Sequence, residues 1–269
     1  MRYYFLIMIW LVAGAGCAVP EKMDSLAMPN SSEAGAPNDN NDFGLFEGEL
    51  AEQVVKVADP IESVNRVMFG FNDVLYFWVV KPVARVYADA VSKPIRLSID
   101  RFFNNVTTPV RAVNCLLQGK NKAACRELHR FAVNTTAGVL GFGDPAHDKL
   151  GLDVADEDLG QTLAVHGIGD GFYIVLPWFG PSTLRDTAGI VGDQFLNPVR
   201  YVKPASVSIG ISAFDSINEA SFRIGEYEAF KAAAVDPYIA MRNTYIQYRK
   251  SQIEDKSEPK SIDANSLTP

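Results

Sequence analysis

The chain has 269 residues, of which 48% are apolar and 21% charged, so it is long enough to bury a substantial core in one domain. Its charge is uneven: residues 17–60 contain two basic and nine acidic residues, whereas residues 61–269 contain 22 basic and 23 acidic residues. Because the larger part is nearly neutral, the composition gives no electrostatic reason to expect binding to nucleic acid.

Residues 1–16 have the pattern of a signal peptide, because Arg2 is followed by an apolar run and then by small residues before Cys17. The stretch resembles a bacterial lipobox, which implies that Cys17 becomes the first mature residue and carries the acyl chains. Ala18 stands where a signal for inner-membrane retention would have aspartate, and this favours the outer membrane. Gly14 stands where the lipobox usually has a leucine-like residue. Cleavage of an ordinary signal peptide, which would give a soluble periplasmic protein, therefore remains the alternative.

Residues 17–58 are rich in Ser, Asn, Asp, Glu, Pro and Gly and contain few aromatic residues. Such a composition cannot bury enough apolar surface to order a chain. We therefore predict a flexible lipidated tether here, a folded domain over residues 59–249, and a polar C-terminal tail over residues 250–269.

The folded domain opens with a predicted amphipathic helix from Ile61 to Val80, which ends at Lys81-Pro82. Its start has a capping acid, a proline in the first turn and a glutamate. An ordinary core helix and a helix lying in one membrane leaflet fit the pattern about equally, whereas the polar positions argue against a membrane span. The polar candidates for a functional or structural role are Asn65, Arg66, Asn72 and Asp73, and the candidates for facing lipid are Phe69, Phe71, Phe77 and Trp78.

Prolines and helix caps then divide the chain into further short helices, and strand-like alternation is scarce. The helices are predicted at residues 82–90, 94–104, 109–118, 122–140, 155–165, 187–197, 207–223 and 228–235, with a last helix after Asp236-Pro237. This pattern predicts an all-α domain without an internal repeat.

Two cysteines remain once Cys17 is assigned to lipid. Cys115 and Cys125 flank Gly119 at similar distances, as partners across a short helical hairpin would. In an oxidising compartment this arrangement favours a disulfide over two buried thiols.

The stretch from Gly167 to Asp186 is predicted to be a bent apolar loop between flexible joints. Its prolines and glycines exclude a long helix, and its Gly-x-Gly-x-Gly spacing has neither a preceding strand nor an immediate following helix to support a phosphate site. A buried loop lining a core and a loop that contacts lipid both fit. The hinge candidates are Gly167, Gly169 and Gly171, and the further candidates for facing lipid are Phe172, Trp178 and Phe179.

Catalytic and metal-binding patterns are weak. His147 lies among acids that a solvated loop explains, and the acids at residues 153–158 lack the spacing of a calcium loop. Ser182, His166 and Asp186 supply the groups of a hydrolase triad, but no Gly-x-Ser-x-Gly turn presents the serine. We predict no catalytic residue, metal or cofactor, and keep a phospholipid hydrolase using Ser182 and His166 as a minor alternative.

A series of motifs between residues 59 and 248 carries a family resemblance. The motifs include Asp59-Pro60-Ile61-Glu62, Arg66-x-Met68-Phe69-x-Phe71-Asn72, Leu117-Gln118-Gly119, Gly160-Gln161-Thr162-Leu163, Ser182-Thr183-Leu184-Arg185-Asp186 and Asp236-Pro237-Tyr238. In their number and order they resemble the MlaA family, also called VacJ lipoproteins, of the Gram-negative outer membrane.

That resemblance implies a compact disc or ring of short helices, set in the inner leaflet of the outer membrane around an amphipathic pore. It implies a passive conduit that removes phospholipid from the outer leaflet and passes it to a soluble periplasmic carrier, with porin trimers as neighbours. Arg185 and Asp186 join the polar candidates for pore or structural roles, and the glycine joints would let the following loop open and close the pore. A structural lipoprotein that tethers a porin remains the alternative.

Overall fold

Helices make up most of the folded domain, and the structure, a computed structural model, describes residues 58–254. The helices are α1 (Glu62–Leu75), α2 (Lys81–Ala90), α3 (Lys93–Val106), α4 (Thr108–Leu117), α5 (Asn121–Thr136), α6 (Pro145–Leu150), α7 (Leu159–Val165), α8 (Leu184–Asp193), α9 (Ala205–Ala220), α10 (Glu226–Ala233) and α11 (Pro237–Glu254). The helical fold class predicted from the sequence is confirmed. The signal peptide, Cys17 and nearly all of the tether lie outside the described residues.

The first helix does not end at Lys81-Pro82 as predicted. A π-helical segment, Tyr76–Val80, joins α1 directly to α2, so Glu62–Ala90 is one helical rod of 29 residues. The backbone N–H of Lys81 bonds to the carbonyl of Tyr76, five residues back. This wider turn accommodates Pro82, which has no N–H to donate and whose ring would crowd a regular α-helical turn.

The stretch predicted as a bent loop contains a β-hairpin. Strands β1 (Tyr173–Leu176) and β2 (Gly180–Thr183) pair antiparallel, with Tyr173 opposite Thr183 and Leu176 opposite Gly180. Among the described residues the sheet has two strands, so the missing N–H of Pro181 removes no hydrogen bond to a third strand. The prediction of a loop was wrong at these eight residues because proline and glycine in β2 concealed a strand that tertiary contacts stabilise.

The two larger apolar clusters of the core both include residues of α11. The first joins the hairpin to α8 and α11 through Tyr173, Val175, Ile190, Tyr238, Tyr245 and Ile246. The second joins the long first helix to α9, α10 and α11 through Tyr76, Val80, Ala84, Ala220, Tyr227 and Met241. The last helix also continues to Glu254, past the predicted start of the polar tail at residue 250.

The predicted disulfide is not present. Cys115 is buried against Ala124 and Ala155, whereas Cys125 is exposed, and no bond joins the two sulfurs. Ala124 occupies the face of α5 that meets Cys115, and the next residue on a helix points about 100° away. Equal spacing from Gly119 therefore did not bring the two cysteines face to face.

Candidate functional site

Two cavities lie between the hairpin, α8, α9 and the 3-10 turn Pro198–Tyr201, and a third, smaller one adjoins them between α8, α9, α3 and α4. The outer cavity has a volume of about 450 Å³, the middle cavity about 380 Å³ and the inner cavity about 40 Å³. Gln194 lines all three; Phe179 and Arg200 line both the outer and the middle cavity. The three cavities are therefore neighbours, and we refer to them together as the channel.

The channel wall changes from apolar to charged along its length. The apolar residues of the outer cavity are Leu176, Pro177, Phe179, Ile190, Val191 and Phe195. The middle cavity shares Phe179 with the outer one and adds Trp178, Ile209 and three serines of α9. The inner cavity has charged residues at Arg111, Asp158, Asp193 and Asp215. The channel is therefore amphipathic from end to end.

Helical spacing explains how two of the walls arise. Ser208, Ser212 and Ser216 of α9 are four residues apart, which places them on one face of that helix. On α8 and the turn that follows, the lining residues recur at the same helical spacing; they are Thr187, Ile190, Val191 and Gln194. Our sequence-based candidates missed these residues, although serines recurring along an otherwise apolar helix were a usable signal.

The hairpin wall is held by two asparagines of α1 that lie two turns apart. Asn65 donates to the carbonyl of Tyr173 at 3.0 Å and accepts from the N–H of Val175 at 2.8 Å. Asn72 is the matching contact at the turn, where it donates to the carbonyl of Leu176 at 2.9 Å. Neither asparagine lines the channel; both position the hairpin that does.

Arg185 and Asp186 belong to a buried ion network behind the channel. Arg249 of α11 lies between two carboxylates, 2.9 Å from Asp186 and 2.7 Å from Asp158. Burial alone would raise the pKa of Asp158, but the charge and hydrogen bonds of Arg249 outweigh it and hold that pKa at about 2. The pKa of Asp186 is likewise lowered against the effect of burial, chiefly by Arg249. The network ties α7, α8 and α11 together.

Arg66 and Asp73 fasten the first helix to the C-terminal helices. Arg66 is half-exposed and pairs with Glu62 at 2.8 Å and with Asp236 at 3.0 Å. Asp73 accepts from the hydroxyl of Tyr227 at 2.8 Å and from Lys231 at 2.7 Å. Neither residue lines the channel cavities.

The inner cavity contains a carboxyl group with a shifted pKa that the sequence did not single out. Asp193 accepts from the side chain of Asn114 at 2.8 Å and from the N–H of Leu159 at 3.1 Å. Burial outweighs these bonds and raises the pKa of Asp193 to about 6. The inner cavity therefore holds a group that titrates near neutral pH.

The candidates for facing lipid divide into two groups. Phe71 and Trp78 belong to an exposed apolar stripe on the first helical rod, and Trp78 is 79% exposed. The other members of this stripe are Val64, Val67, Val74, Val79, Val83 and Val86. By contrast, Phe69, Phe77 and Phe179 pack against the core clusters, and Phe172 is half-buried. Trp178 and Phe179 line the channel.

The first rod combines an exposed apolar stripe with a polar side that is bonded to the rest of the domain. By length and composition, this rod is the one helix among the described residues that could cross a bilayer. Its polar side is hydrogen-bonded along its length to the hairpin and to α10. A rod fastened in this way packs along the domain and leaves the apolar stripe exposed.

The groups proposed for a hydrolase do not form a triad. Ser182 is fully buried and contacts the hydroxyl of Thr187 at 3.0 Å. The ring of His166 contacts the carbonyl of Leu117 at 3.0 Å, and Asp186 is bound to Arg249. The helix cap of α8 is Thr183, whose hydroxyl accepts from the N–H of Asp186. Within residues 58–254, no group of three His, Cys, Asp or Glu side chains could hold a metal.

The glycine joints precede the hairpin. Gly167 and Gly171 have positive φ angles of 84° and 72°, which favour glycine. A side chain at Gly169 would meet open space, whereas a Cβ at Gly171 would lie 2.9 Å from Leu184. Their role as hinges stays a prediction.

A helical scaffold around an amphipathic channel, with an exposed apolar stripe on its first rod, defines a class of protein suited to amphiphilic ligands at a membrane surface. The chain belongs to the MlaA lipoprotein family, whose sequence pattern matches residues 57–252.

Characterised relatives agree with this assignment. The chain is 34% identical over 194 residues to the intermembrane phospholipid transport system lipoprotein MlaA of Escherichia coli K12, covering 71% of this chain and 76% of that protein. It is 32% identical over 223 residues to the protein of that name from Haemophilus influenzae, covering 79% and 86%. A chain solved in work on the structural basis for maintenance of bacterial outer membrane lipid asymmetry superposes with a TM-score of 0.65 at 31% identity, covering 73% of this chain and 99% of that one.

Proposed function

We propose that this protein is an outer-membrane lipoprotein that acts as a passive phospholipid conduit. It removes mislocalised phospholipid from the outer leaflet, passes it to a soluble periplasmic carrier and so maintains the lipid asymmetry of the outer membrane. The observation that carries the proposal is the amphipathic channel, whose outer cavity is apolar and whose inner cavity is charged. Family membership supports the same function.

The polarity of the channel matches the two ends of a phospholipid. Acyl chains gain free energy on leaving water, at about 25 cal/mol per Å² of apolar surface, so they favour the outer and middle cavities. A zwitterionic or anionic head group needs polar partners, which Arg200 and the serines of α9 supply in the middle cavity. The sequence contains no Walker motif, in keeping with movement down a gradient.

The exposed stripe of the first rod supports placement in one leaflet. An amphipathic helix with aromatic and aliphatic residues on one face lies in the membrane interface, with that face toward acyl chains. In this arrangement the lipid on Cys17 adds a second anchor, which stable attachment to a membrane requires. The protein then sits on the periplasmic side of the outer membrane, beside porin trimers.

The hairpin is the movable wall in this proposal. Gly167, Gly169 and Gly171 precede it, and Trp178 and Phe179 at its tip line the channel. Motion at the glycines would widen or narrow the middle cavity. No catalytic residue is required, and we assign no enzymatic activity.

A cellular assay tests the conduit. Deleting the gene should raise outer-leaflet phospholipid and detergent sensitivity, and the wild-type gene should restore both. Ser212→Trp should fail to restore them because its side chain would fill the middle cavity. Ser206→Trp is the matched control, since Ser206 is an exposed residue of the same helix that does not line the channel.

An unchanged outer leaflet in the deletion strain would contradict the conduit. If the purified protein carried no phospholipid and Ser212→Trp restored the strain while a porin remained bound, the protein would be a structural partner of the porin. Lysophospholipid produced by the purified protein and lost with Ser182→Ala would instead indicate a hydrolase.

A further inference from the structure

We propose that Arg200 binds the phosphodiester group of an amphiphile whose acyl chains lie in the outer and middle cavities. The proposal deepens the conduit function and rests on it. It adds one specific contact for a charged group to the apolar walls of the channel.

Arg200 occupies the boundary between the two larger cavities. It lines both of them, and it does not line the inner cavity, where Asp158, Asp193 and Asp215 lie. The arginine is therefore set apart from the acids of the channel and beside its apolar walls.

The backbone that carries Arg200 is fixed. It lies in the 3-10 turn Pro198–Tyr201, which Asn197 caps by accepting from the N–H of Val199 at 3.0 Å. The N–H of Arg200 bonds to the carbonyl of Asn197, and the hydroxyl of Tyr201 donates to the carbonyl of Phe195 at 2.7 Å. A fixed turn places the guanidinium at the channel with little loss of backbone entropy on binding.

The guanidinium of Arg200 has no polar partner in the described part of the chain. The buried arginines of the domain are paired with carboxylates, as Arg111 is with Glu127 and Arg130 is with Asp144. Over residues 58–254, no hydrogen bond or ion pair involves the side chain of Arg200. It is exposed, so it can bind an incoming anion without first breaking an internal contact.

The surroundings indicate which anion fits. A guanidinium presents a planar fork of N–H donors that matches two phosphate oxygens. Ser212 lines the same middle cavity and adds a hydroxyl donor, whereas the hydroxyls of Ser208 and Ser216 donate to the carbonyls of Val199 and Ser212. Phe179, Ile209 and Trp178 supply apolar surface for a chain attached to that phosphate. A free phosphate would use the arginine but not the apolar walls.

The test is binding by the purified lipid-free protein, measured by calorimetry with three probes. Dihexanoyl phosphatidylcholine below its micelle concentration carries chains and phosphate, dihexanoylglycerol carries chains alone, and inorganic phosphate carries the anion alone. Arg200→Gln should weaken binding of the phosphatidylcholine by roughly tenfold or more and leave that of the diacylglycerol unchanged, because hydrogen bonds to charged groups are the strong ones. Arg200→Lys should keep part of the affinity.

The matched control is Arg126→Gln, an exposed arginine on α5 that does not line the channel. An unchanged affinity of Arg200→Gln for the phosphatidylcholine would overturn the proposal, as would an equal loss for both lipids. Inorganic phosphate binding as tightly as the phosphatidylcholine would overturn the lipid part and leave a plain anion site.

A cellular measurement separates this proposal from the conduit itself. If Arg200→Gln cleared outer-leaflet phospholipid at the wild-type rate, the role of Arg200 would be wrong while the conduit stood. If deletion of the whole gene left the outer leaflet unchanged, the conduit would fail first.

Discussion

The backbone N–H of Trp178 donates to the side-chain oxygen of Asn72 at 2.7 Å, so a residue of α1 fixes the hairpin turn whose aromatic side chains line the channel. Trp178 has a positive φ of 69°, a conformation that costs a non-glycine residue free energy. The second bond of Asn72, to the carbonyl of Leu176, holds the other end of the turn. One asparagine therefore offsets backbone strain at the channel wall.

Asn72→Ala removes both bonds and should lower the free energy of unfolding by about 1–3 kcal/mol, because two backbone groups lose their partner. Asn72→Asp keeps the acceptor for Trp178 but sets a carboxylate oxygen against the carbonyl of Leu176, so it should also be destabilising. Thermal unfolding of the purified domain measures both. Val74→Ala is the control on the exposed side of the same helix, and an effect of Val74→Ala as large as that of Asn72→Ala would argue against a specific role for the two bonds.

The asparagines also show where prediction from sequence succeeds. Their seven-residue spacing placed Asn65 and Asn72 on the same side of a helix, and the structure has both on the side that meets the domain. Their partners lie more than 100 residues later in the chain, in β1 and the turn after it. A local pattern identifies the face of a helix, but not the segment that packs on it.

The channel shows the opposite case. Its wall is assembled from the hairpin, α8, the 3-10 turn and α9, and no single stretch contains enough of it to form a motif. The strand Gly180–Thr183 has glycine and proline at its start, so local propensity predicted a loop and tertiary contact decided otherwise. Likewise, Pro82 predicted a helix end that the π-helical segment avoids.

The buried network gives a prediction about stability. Arg249→Met leaves Asp158 and Asp186 without their shared cation and should lower the free energy of unfolding by about 3–5 kcal/mol, the usual cost of breaking a buried ion pair. Denaturant unfolding at pH 7.5 measures this loss. Lys250→Met is the control, since Lys250 is exposed and lies 3.6 Å from Glu254, so its loss should be below about 1 kcal/mol. Similar losses for the two variants would contradict the structural role of Arg249.

The hinge hypothesis is tested most cleanly at Gly169. An added side chain there meets open space, and φ is not in the left-handed region, so Gly169→Ala should leave thermal stability nearly unchanged. Gly169→Pro restricts the backbone of the joint and should slow clearance of outer-leaflet phospholipid while the protein stays folded.

Gly171→Ala is the contrasting variant. It combines a φ of 72° with a Cβ only 2.9 Å from Leu184, so it should lower thermal stability. A Gly169→Pro protein that is folded and clears lipid at the wild-type rate would contradict the hinge.

Asp193 makes the stability of the domain depend on pH. Burial raises its pKa to about 6 in the folded protein, above the value of an exposed aspartate, so as the pH falls the folded state takes up the proton before the unfolded chain does. The stabilisation that comes from protonated Asp193 is therefore fully present well below pH 4 and is lost as the pH rises through 6. The amide that replaces the carboxyl group in Asp193→Asn does not titrate. The free energy of unfolding of Asp193→Asn relative to wild type should thus increase by about 2 kcal/mol between pH 4.5 and 7.5.

The measurement is denaturant unfolding of the two proteins in parallel at several pH values, so that other titrating groups cancel in the difference. Asp148→Asn, at an exposed position of α6, is the matched control for the same substitution outside the cavity. The sign of the change with pH is decisive. If the difference in the free energy of unfolding between the two proteins stayed flat, Asp193 would not titrate in this range. If it fell with rising pH, the hydrogen bonds of Asp193 to Asn114 and Leu159 would outweigh burial. Since Asp193 lines the inner cavity, the same titration changes the charge of that cavity.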